Sequence, residues 1–515
     1  MSQQDASRGP QRAVVIGAGL GGLAAAMRLG AKGYDVTVLD RLDGPGGRGT
    51  AILQDGFRFD LGPTIVTVPE VFRKLFAACG ADFDAEVDLT SLDPFYEIRW
   101  PDGSHFTARA STEAMEAEIA RLSPGDVKGY RRFLKDAERR FVVGYEGMVA
   151  EPMHKAWSTI KVLPEFAMLR ADRSIHGLAK ARVKDPRLQM ALSFHPLFIG
   201  GDPTRVTSMY ALVSHLEKEF GVHYARGGVQ AIASAMARVV QRQGGRIHYG
   251  VTVDKIEVQG RRATAVLLDD GERLPAEIVV SNADAGHTYD TLLRDLPRRR
   301  WTGRKLNSRR WSMGLYVWYF GTRDTRDLWR DVGHHTILSG PRYEGLLNDI
   351  FIKGRLADDM SLYVHRPAEH DPTVAPDGAD AFYVLSPVPH LGHDRSVDWT
   401  EEEPIYKERV REVLENRLLP GFSEKIVTEV AFTPETFRDR YLSPHGAGFS
   451  LEPRILQSAW FRPHNVSEEL DGLFLVGAGT HPGAGLPGVV SSAEVLAKLV
   501  PDVHAARSEL KVAAE

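Results

Sequence analysis

Residues 12–40 read RAVVIGAGLGGLAAAMRLGAKGYDVTVLD, with glycines at 17, 19 and 22 directly after one apolar run and a carboxylate, Asp40, closing the next. That spacing suits the capture of a pyrophosphate. Gly17 permits a tight turn from strand to helix, Gly19 lets the backbone approach phosphate oxygens, and Gly22 lets the helix pack against the sheet. The N-terminus of that helix offers unpaired N–H groups and the positive end of its dipole. Asp40 is placed to accept hydrogen bonds from ribose hydroxyls. The pattern predicts a βαβ unit with a dinucleotide at its carboxyl edge.

Arg41 and a second cluster, Gly44-Pro-Gly46-Gly47-Arg48-Gly49-Thr50, follow at once. Here the backbone can approach a ligand again, and a guanidinium can neutralise a phosphate. A plain NAD domain needs no such cluster, whereas flavoproteins of the glutathione-reductase type often carry one. At the far end, residues 472–492 read GLFLVGAGTHPGAGLPGVVSS. The apolar run Leu473–Val476 enters Gly477-Ala-Gly479, and a helix is expected from about Pro487, with Gly488 and Val489 in its first turn. Two glycine-rich turns at opposite ends of the chain suit one large cofactor, FAD.

Gly477-Ala-Gly-Thr-His-Pro-Gly483, within this C-terminal run, resembles the signature of the bacterial-type phytoene desaturases, carotenoid-forming members of the FAD-dependent amine oxidase superfamily. Phe59–Thr64, Asp93–Tyr96, Ser193–Leu197, Val280–Asp284 and Gln457–Asn465 also resemble that family, and the likeness runs from about residue 12 to about residue 500. Many superfamily members place an acid where this chain has Ala478, a departure that carotenoid desaturases share. The resemblance implies that Gly62, Pro63 and Thr64 border the flavin and that Val253 presents its backbone to the adenine. It implies 15-cis-phytoene as substrate, ζ-carotene and then neurosporene or lycopene as products, and hydride transfer to flavin N5. Reoxidation by a quinone or oxygen is expected because no second complete GxGxxG unit remains for a nicotinamide cofactor and the single cysteine excludes a dithiol relay. A substrate dissolved in the bilayer, where a quinone also dissolves, implies a peripheral membrane position. Two other readings stay open: a desaturase of hydroxylated or methoxylated carotenoids, and a non-enzymatic lipid carrier on this fold.

The elements that must position these residues follow from the rest of the 515-residue chain. The expected class is α/β: a Rossmann-like FAD-binding domain of glutathione-reductase type, an α+β substrate domain and a helical membrane-facing segment. The FAD domain is expected in three pieces, 1–150, 226–290 and 456–515. A helical segment, 151–225, and a sheet region, 291–455, lie between them. Residues 311–320 (WSMGLYVWYF) and 381–388 (AFYVLSPV) read as strands, apolar enough to line a greasy tunnel. Residues 153–187 hold eight Lys/Arg against three acids, with Met153, Trp157 and Ile160 at helical spacing. Such a basic amphipathic stretch suits an anionic bilayer surface.

Composition excludes other classes. A net charge of −4 gives no basic field for nucleic acid. The single cysteine, Cys79, excludes an intrachain disulfide. The N-terminal residues lack the apolar core of a signal peptide, and no apolar run reaches spanning length, so a cytoplasmic, membrane-associated enzyme is expected. No metal site is expected. His334 and His335 are adjacent and should point apart on a strand or helix, and His365 and His370 have no ligand spacing; His195, His215 and His464 read as structural. His481, inside the C-terminal loop, is placed near the flavin or on a backbone carbonyl. Asp60, Thr64, Lys353 and Glu452 are candidate polar neighbours of the reacting carbon.

Overall fold

The computed structural model describes residues 11–393 and 397–503. One sheet has five parallel strands in the order Leu473–Leu475, Ile278–Ser281, Arg12–Ile16, Asp35–Asp40, Arg246–Tyr249. Its strands come from the start, middle and end of the chain. They are short and apolar because both faces are covered. Ala13, Val15, Val36 and Val38 share a core with the helices Leu20–Ala31, Val229–Arg242 and Leu486–Leu499. Val14, Ile16, Leu39 and Val279 instead pack with an antiparallel sheet made of Val253–Gln259, Arg262–Leu268 and Arg273–Pro275. The side chains of the inner strands thus alternate between two buried layers, while the edge strand Arg246–Tyr249 exposes Arg246 and His248. Helix Leu20–Ala31 buries Gly21, Gly22 and Ala24–Ala26, whose small side chains let it lie close to its neighbours.

The second sheet has seven strands in the order Ile426–Phe432, Gly314–Thr322, Asp380–Val388, Leu362–His365, His335–Leu338, Tyr96–Arg99, His105–Ala108. All neighbours are antiparallel except His335–Leu338 with Tyr96–Arg99. Leu315, Val317 and Tyr319 belong to the core shared with the helical segment. Tyr316, Trp318 and Phe320, on the opposite face, pack beneath helix Trp399–Arg417. Residues 96–108 lie within the stretch 1–150 expected to serve the cofactor domain. They add two strands to this second sheet, so that stretch contributes to both sheets.

The basic segment 153–187 keeps Trp157 and Ile160 on one helix, while Met153 lies before it and is buried. The segment forms the short helices Ala156–Ile160, Leu163–Met168, Ile175–Lys180 and Pro186–Ala191. Pro164 and Pro186 sit in first turns, where the missing N–H costs nothing, and they prevent one helix from running into the next. Four of its eight cations are neutralised locally: Arg170 by Asp172, Lys180 by Glu344, Arg182 by Asp136 and Arg187 by Asp185.

Glu452 marks a buried seam between the helical segment and the C-terminal third. Its Oε1 lies 3.5 Å from the Asp202 backbone N, and both side chains are buried. Desolvation raises its pKa to about 7, only partly opposed by Arg454, 3.7 Å away. The folded state therefore holds a proton that the unfolded chain releases at its ordinary, lower pKa. Stability contributed here is present at acid pH and is lost as pH climbs towards 7, by up to about 1.4 kcal/mol per pH unit. In Glu452→Gln the melting temperature should gain on the wild type between pH 5 and pH 8; a constant difference across that range would remove Glu452 as the titrating group.

Candidate cofactor and substrate site

The two glycine turns face each other across one side chain. Gly17 (φ 95°) and Gly477 (φ 90°) both adopt the left-handed backbone that glycine tolerates. Asn282, directly after strand Ile278–Ser281, lies between them. A Cβ at Gly19 would lie 2.8 Å from Asn282 Nδ2, and one at Gly477 would lie 2.5 Å from Asn282 Oδ1. At Gly21 the clash would be 2.6 Å from Asn282 Oδ1 and 3.0 Å from the Gly477 Cα. The turns are glycine because any Cβ would fill the cradle.

A cavity of about 730 Å³ opens from this cradle. Fourteen of the fifteen residues singled out as cofactor contacts line it, including Val253 and the Gly62-Pro63-Thr64 loop. The exception is Gly22, which lies behind the turn. Its Cβ would sit 1.9 Å from the Gly17 carbonyl oxygen, so its role is the close approach of helix and strand. Asp40 is buried and accepts from the Ala18 N–H (2.6 Å) and the Leu42 N–H (2.8 Å). Burial raises its pKa while these two bonds oppose the rise. Each carboxylate oxygen retains acceptor capacity for a ribose.

The arginines divide by role. Arg41 donates to the carbonyls of Asp439 (2.5 Å) and Arg440 (2.9 Å), at the end of helix Pro434–Tyr441. Arg48 donates to Ser443 Oγ and lies 6.0 Å from the Tyr441 ring. Burial lowers its pKa, and Asp284 on the cavity wall opposes that. Arg440 also lines the cavity, and its buried Nε has no partner. Neither Asn282 nor Arg440 was singled out from sequence. Asn282 carried a signal, its place in the family-like stretch Val280–Asp284, but Arg440 lies in no motif.

Beyond the flavin-sized cradle the cavity becomes apolar. Leu315, Tyr383 and Leu385 of the seven-stranded sheet face Phe198, Leu212 and Leu216 of the helical segment across it. Thr64 Oγ1 and Tyr363 OH, 2.5 Å apart, form a polar spot in this wall. Of the other polar candidates, Asp60 lies against Gly228 behind the wall, Lys353 is paired with Asp349, and Glu452 lies in the seam described above. His481 lines the cavity and donates from Nε2 to the Met148 carbonyl (3.0 Å), leaving Nδ1 without a partner. Burial lowers its pKa to about 4, so the ring is neutral.

The cavity reaches the surface between Leu163, Ile455, Leu456 and Phe461, which both line it and are exposed. Trp157, Ile160 and Met168 extend this apolar rim, with Trp157 62% and Met168 77% exposed. Helix Ala156–Ile160 packs against Ala459–Phe461, so the rim is one patch. Seven of the thirteen exposed large hydrophobic residues among those described lie here, a concentration that marks an interaction surface rather than scattered exposure.

The histidine expectation is corrected. His334 precedes strand His335–Leu338 and turns its ring back, while His335 pairs directly across the ladder with His365. The three rings meet, although neighbours in one strand would diverge.

The cradle, with its absent Cβ atoms, the capped carboxylate and the unpartnered Arg440 Nε, fits the adenosine, pyrophosphate and ring of FAD. Over residues 20–500 the chain matches the family of flavin-containing amine oxidoreductases. It is 67% identical to a phytoene desaturase (neurosporene-forming) of Cereibacter sphaeroides, over 98% of this chain and 97% of that one. A phytoene desaturase (lycopene-forming) of a Paracoccus species is 42% identical over 95% of this chain and 97% of that one. Among solved structures, an oxidoreductase from Methanosarcina mazei shares the fold with a TM-score of 0.62 at 20% identity, over 95% of this chain and 100% of that one. The chain therefore belongs to the phytoene desaturases of the flavin-containing amine oxidoreductase family, and its cofactor is FAD.

Proposed function

We propose that this protein is a peripheral membrane desaturase that takes 15-cis-phytoene through ζ-carotene to neurosporene, one double bond at a time. The observation that carries the reading is the continuity of the cavity: a glycine cradle for FAD runs without interruption into an apolar gallery whose mouth is an exposed apolar patch. The 67% identical relative is named neurosporene-forming and the 42% identical one lycopene-forming, which supports neurosporene as the last product.

When bound, FAD supplies the hydride acceptor. Gly17, Gly19, Gly47 and the N-terminus of helix Leu20–Ala31 hold its pyrophosphate, with Arg48 and Arg440 as the nearby cations. Asp40 holds the ribose and Val253 the adenine. Gly62-Pro63-Thr64, Gly477–Gly479 and the first turn at Gly488 and Val489 enclose the ring. Arg41 acts through the Asp439 and Arg440 carbonyls and so positions Arg440. Leu315, Tyr383, Leu385 and Phe198 keep the polyene extended and exclude water, which strengthens every polar interaction at the reacting carbon. The electron acceptor is a quinone or oxygen: a quinone dissolves in the same bilayer and can use the same mouth.

The mouth docks on lipid. No helix among the described residues is long and apolar enough to cross a membrane, and the exposed Trp157, Ile160, Met168 and Leu456 reach into the interface instead. Lys155, Lys161 and Arg173 make no ion pair among the described residues, and they add roughly 1 kcal/mol each near an anionic surface.

Three measurements check this reading. Asp40→Ala should raise the Kd for FAD about tenfold or more, because charge-assisted bonds worth roughly 1.5–3 kcal/mol are lost; an unchanged fluorescence titration would take Asp40 out of the site. In phytoene-loaded liposomes the purified enzyme should accumulate neurosporene. Without oxygen it should continue only when a quinone is added; a strict need for NAD(P)⁺, or lycopene as the main product, would overturn the respective assignment. Co-sedimentation with anionic liposomes should fall sharply in Trp157→Glu/Leu456→Glu and become less salt-sensitive in Lys155→Gln/Lys161→Gln. Full binding by the first variant would place the docking surface elsewhere.

A further inference from the structure

Behind the cavity wall stands a cluster that desaturation chemistry does not use. His334, His335 and His365 are each at most 4% exposed, and one ring nitrogen from each lies within 4.8 Å of one from each of the others. Ring centroids are separated by 4.6, 4.8 and 5.1 Å. Imidazoles held at 2.0–2.1 Å on one tetrahedral ion place their centroids about 5 Å apart. The rings therefore stand where three ligands of one ion would stand.

The second nitrogens of two of the rings have outer partners, while His365 Nδ1 is buried with none. His335 Nδ1 meets the Tyr363 hydroxyl at 2.7 Å, and His334 Nδ1 meets His370 Nδ1 at 3.1 Å. These outer contacts leave the Nε2 atoms of His334 and His335 facing inwards. His334 Nε2 lies 3.1 Å from His365 Nε2, and His335 Nε2 is buried with no partner at all. Two imidazole nitrogens in contact can share only one proton, and an orphaned ring nitrogen in the core costs about 1–3 kcal/mol. A cation replaces both deficits with bonds. Burial lowers the pKa of all three rings, which favours the neutral form that ligates.

We infer that His334, His335 and His365 bind a first-row divalent transition metal of the zinc class through their Nε2 atoms. An all-imidazole set suits zinc, and the absence of a carboxylate from the trio disfavours magnesium and calcium. Three protein ligands leave a fourth position for water. The buried carboxylates of Asp60 and Asp371 lie near Tyr224, whose ring packs on His334 at 4.7 Å and on His365 at 6.0 Å. Asp371 supplies counter-charge without entering the trio, while desolvation pushes the Asp60 carboxyl up to about 7. The ion would sit behind Tyr363 and take no part in dehydrogenation. Through His335 it would fix Tyr363, and through Tyr363 it would fix Thr64 on the cavity wall.

A neighbouring group, His334, Glu369 and His370, offers a competing arrangement closer to the surface, and the test separates the two. The full-length holoenzyme, made without a polyhistidine tag in zinc-supplemented medium, should carry about one zinc per chain by mass spectrometry. Dialysis against EDTA should lower its melting temperature. Cobalt added to the stripped protein should give the intense visible bands of a tetrahedral site. Those bands should vanish in His335→Ala and His365→Ala, with bound flavin reporting that each variant is folded, and should survive in His370→Ala and Glu369→Gln. Wild-type protein that holds no zinc and gives no cobalt bands overturns the proposal. So do bands that survive His365→Ala or disappear in His370→Ala.

Discussion

The distance between two stretches of backbone governs this molecule. Gly17–Gly22 and Gly477–Gly479 approach so closely around Asn282 that a Cβ at Gly19, Gly21 or Gly477 would collide with it. That approach is possible only because the strands Arg12–Ile16, Ile278–Ser281 and Leu473–Leu475 are neighbours in one parallel sheet. Each ends at the same edge, and the turns that follow bring Gly17, Asn282 and Gly477 to the same point. Strands so far apart in sequence must close very long loops before they pair. The cradle is therefore a property of the completed fold and of no fragment.

From that point the cavity runs down a gradient of polarity. At the cradle it is bounded by backbone N–H groups, a capped carboxylate and half-buried guanidinium groups. Towards the mouth its wall is mainly apolar, with Glu217, Thr159 and Ser458 among the polar exceptions, since the seven-stranded sheet turns Leu315, Tyr383 and Leu385 inwards and keeps Tyr316, Trp318 and Phe320 for a separate core under helix Trp399–Arg417. The period of two in a strand makes this division possible. One strand serves as a tunnel wall on one face and as structural packing on the other. The exposed rim around Trp157 and Leu456 continues the inner surface outwards.

The histidine cluster shows how register creates a site that spacing conceals. His335 and His365 are thirty residues apart in sequence and become direct partners because Leu362–His365 runs antiparallel to His335–Leu338. His334 lies one residue outside the strand and escapes its alternation. One more residue of strand would have pointed it to the other face. The same ladder places Tyr363 between the cluster and Thr64, so the packing of this corner and the shape of the cavity wall are coupled.

Local covalent geometry made much of this protein legible from its residues. The GxGxxG turn, the terminal Asp40 and the C-terminal glycine loop each impose a backbone requirement that only those residue types meet, and fourteen of the fifteen positions singled out line one cavity. Strand and helix runs were also readable, because burial on both faces or on one leaves a direct imprint in hydrophobic periodicity. Tertiary structure alone decided the rest. It cut the basic segment into short helices at Pro164 and Pro186 and spent half its charge on local acids. It drew residues 96–108 into the second sheet and brought Arg440, from no motif, to the cofactor wall. It also set Asn282 between two turns and three histidines around one point. These outcomes depend on which strands become neighbours and in what register, and such long-range pairing leaves no mark in the spacing of residues along the chain.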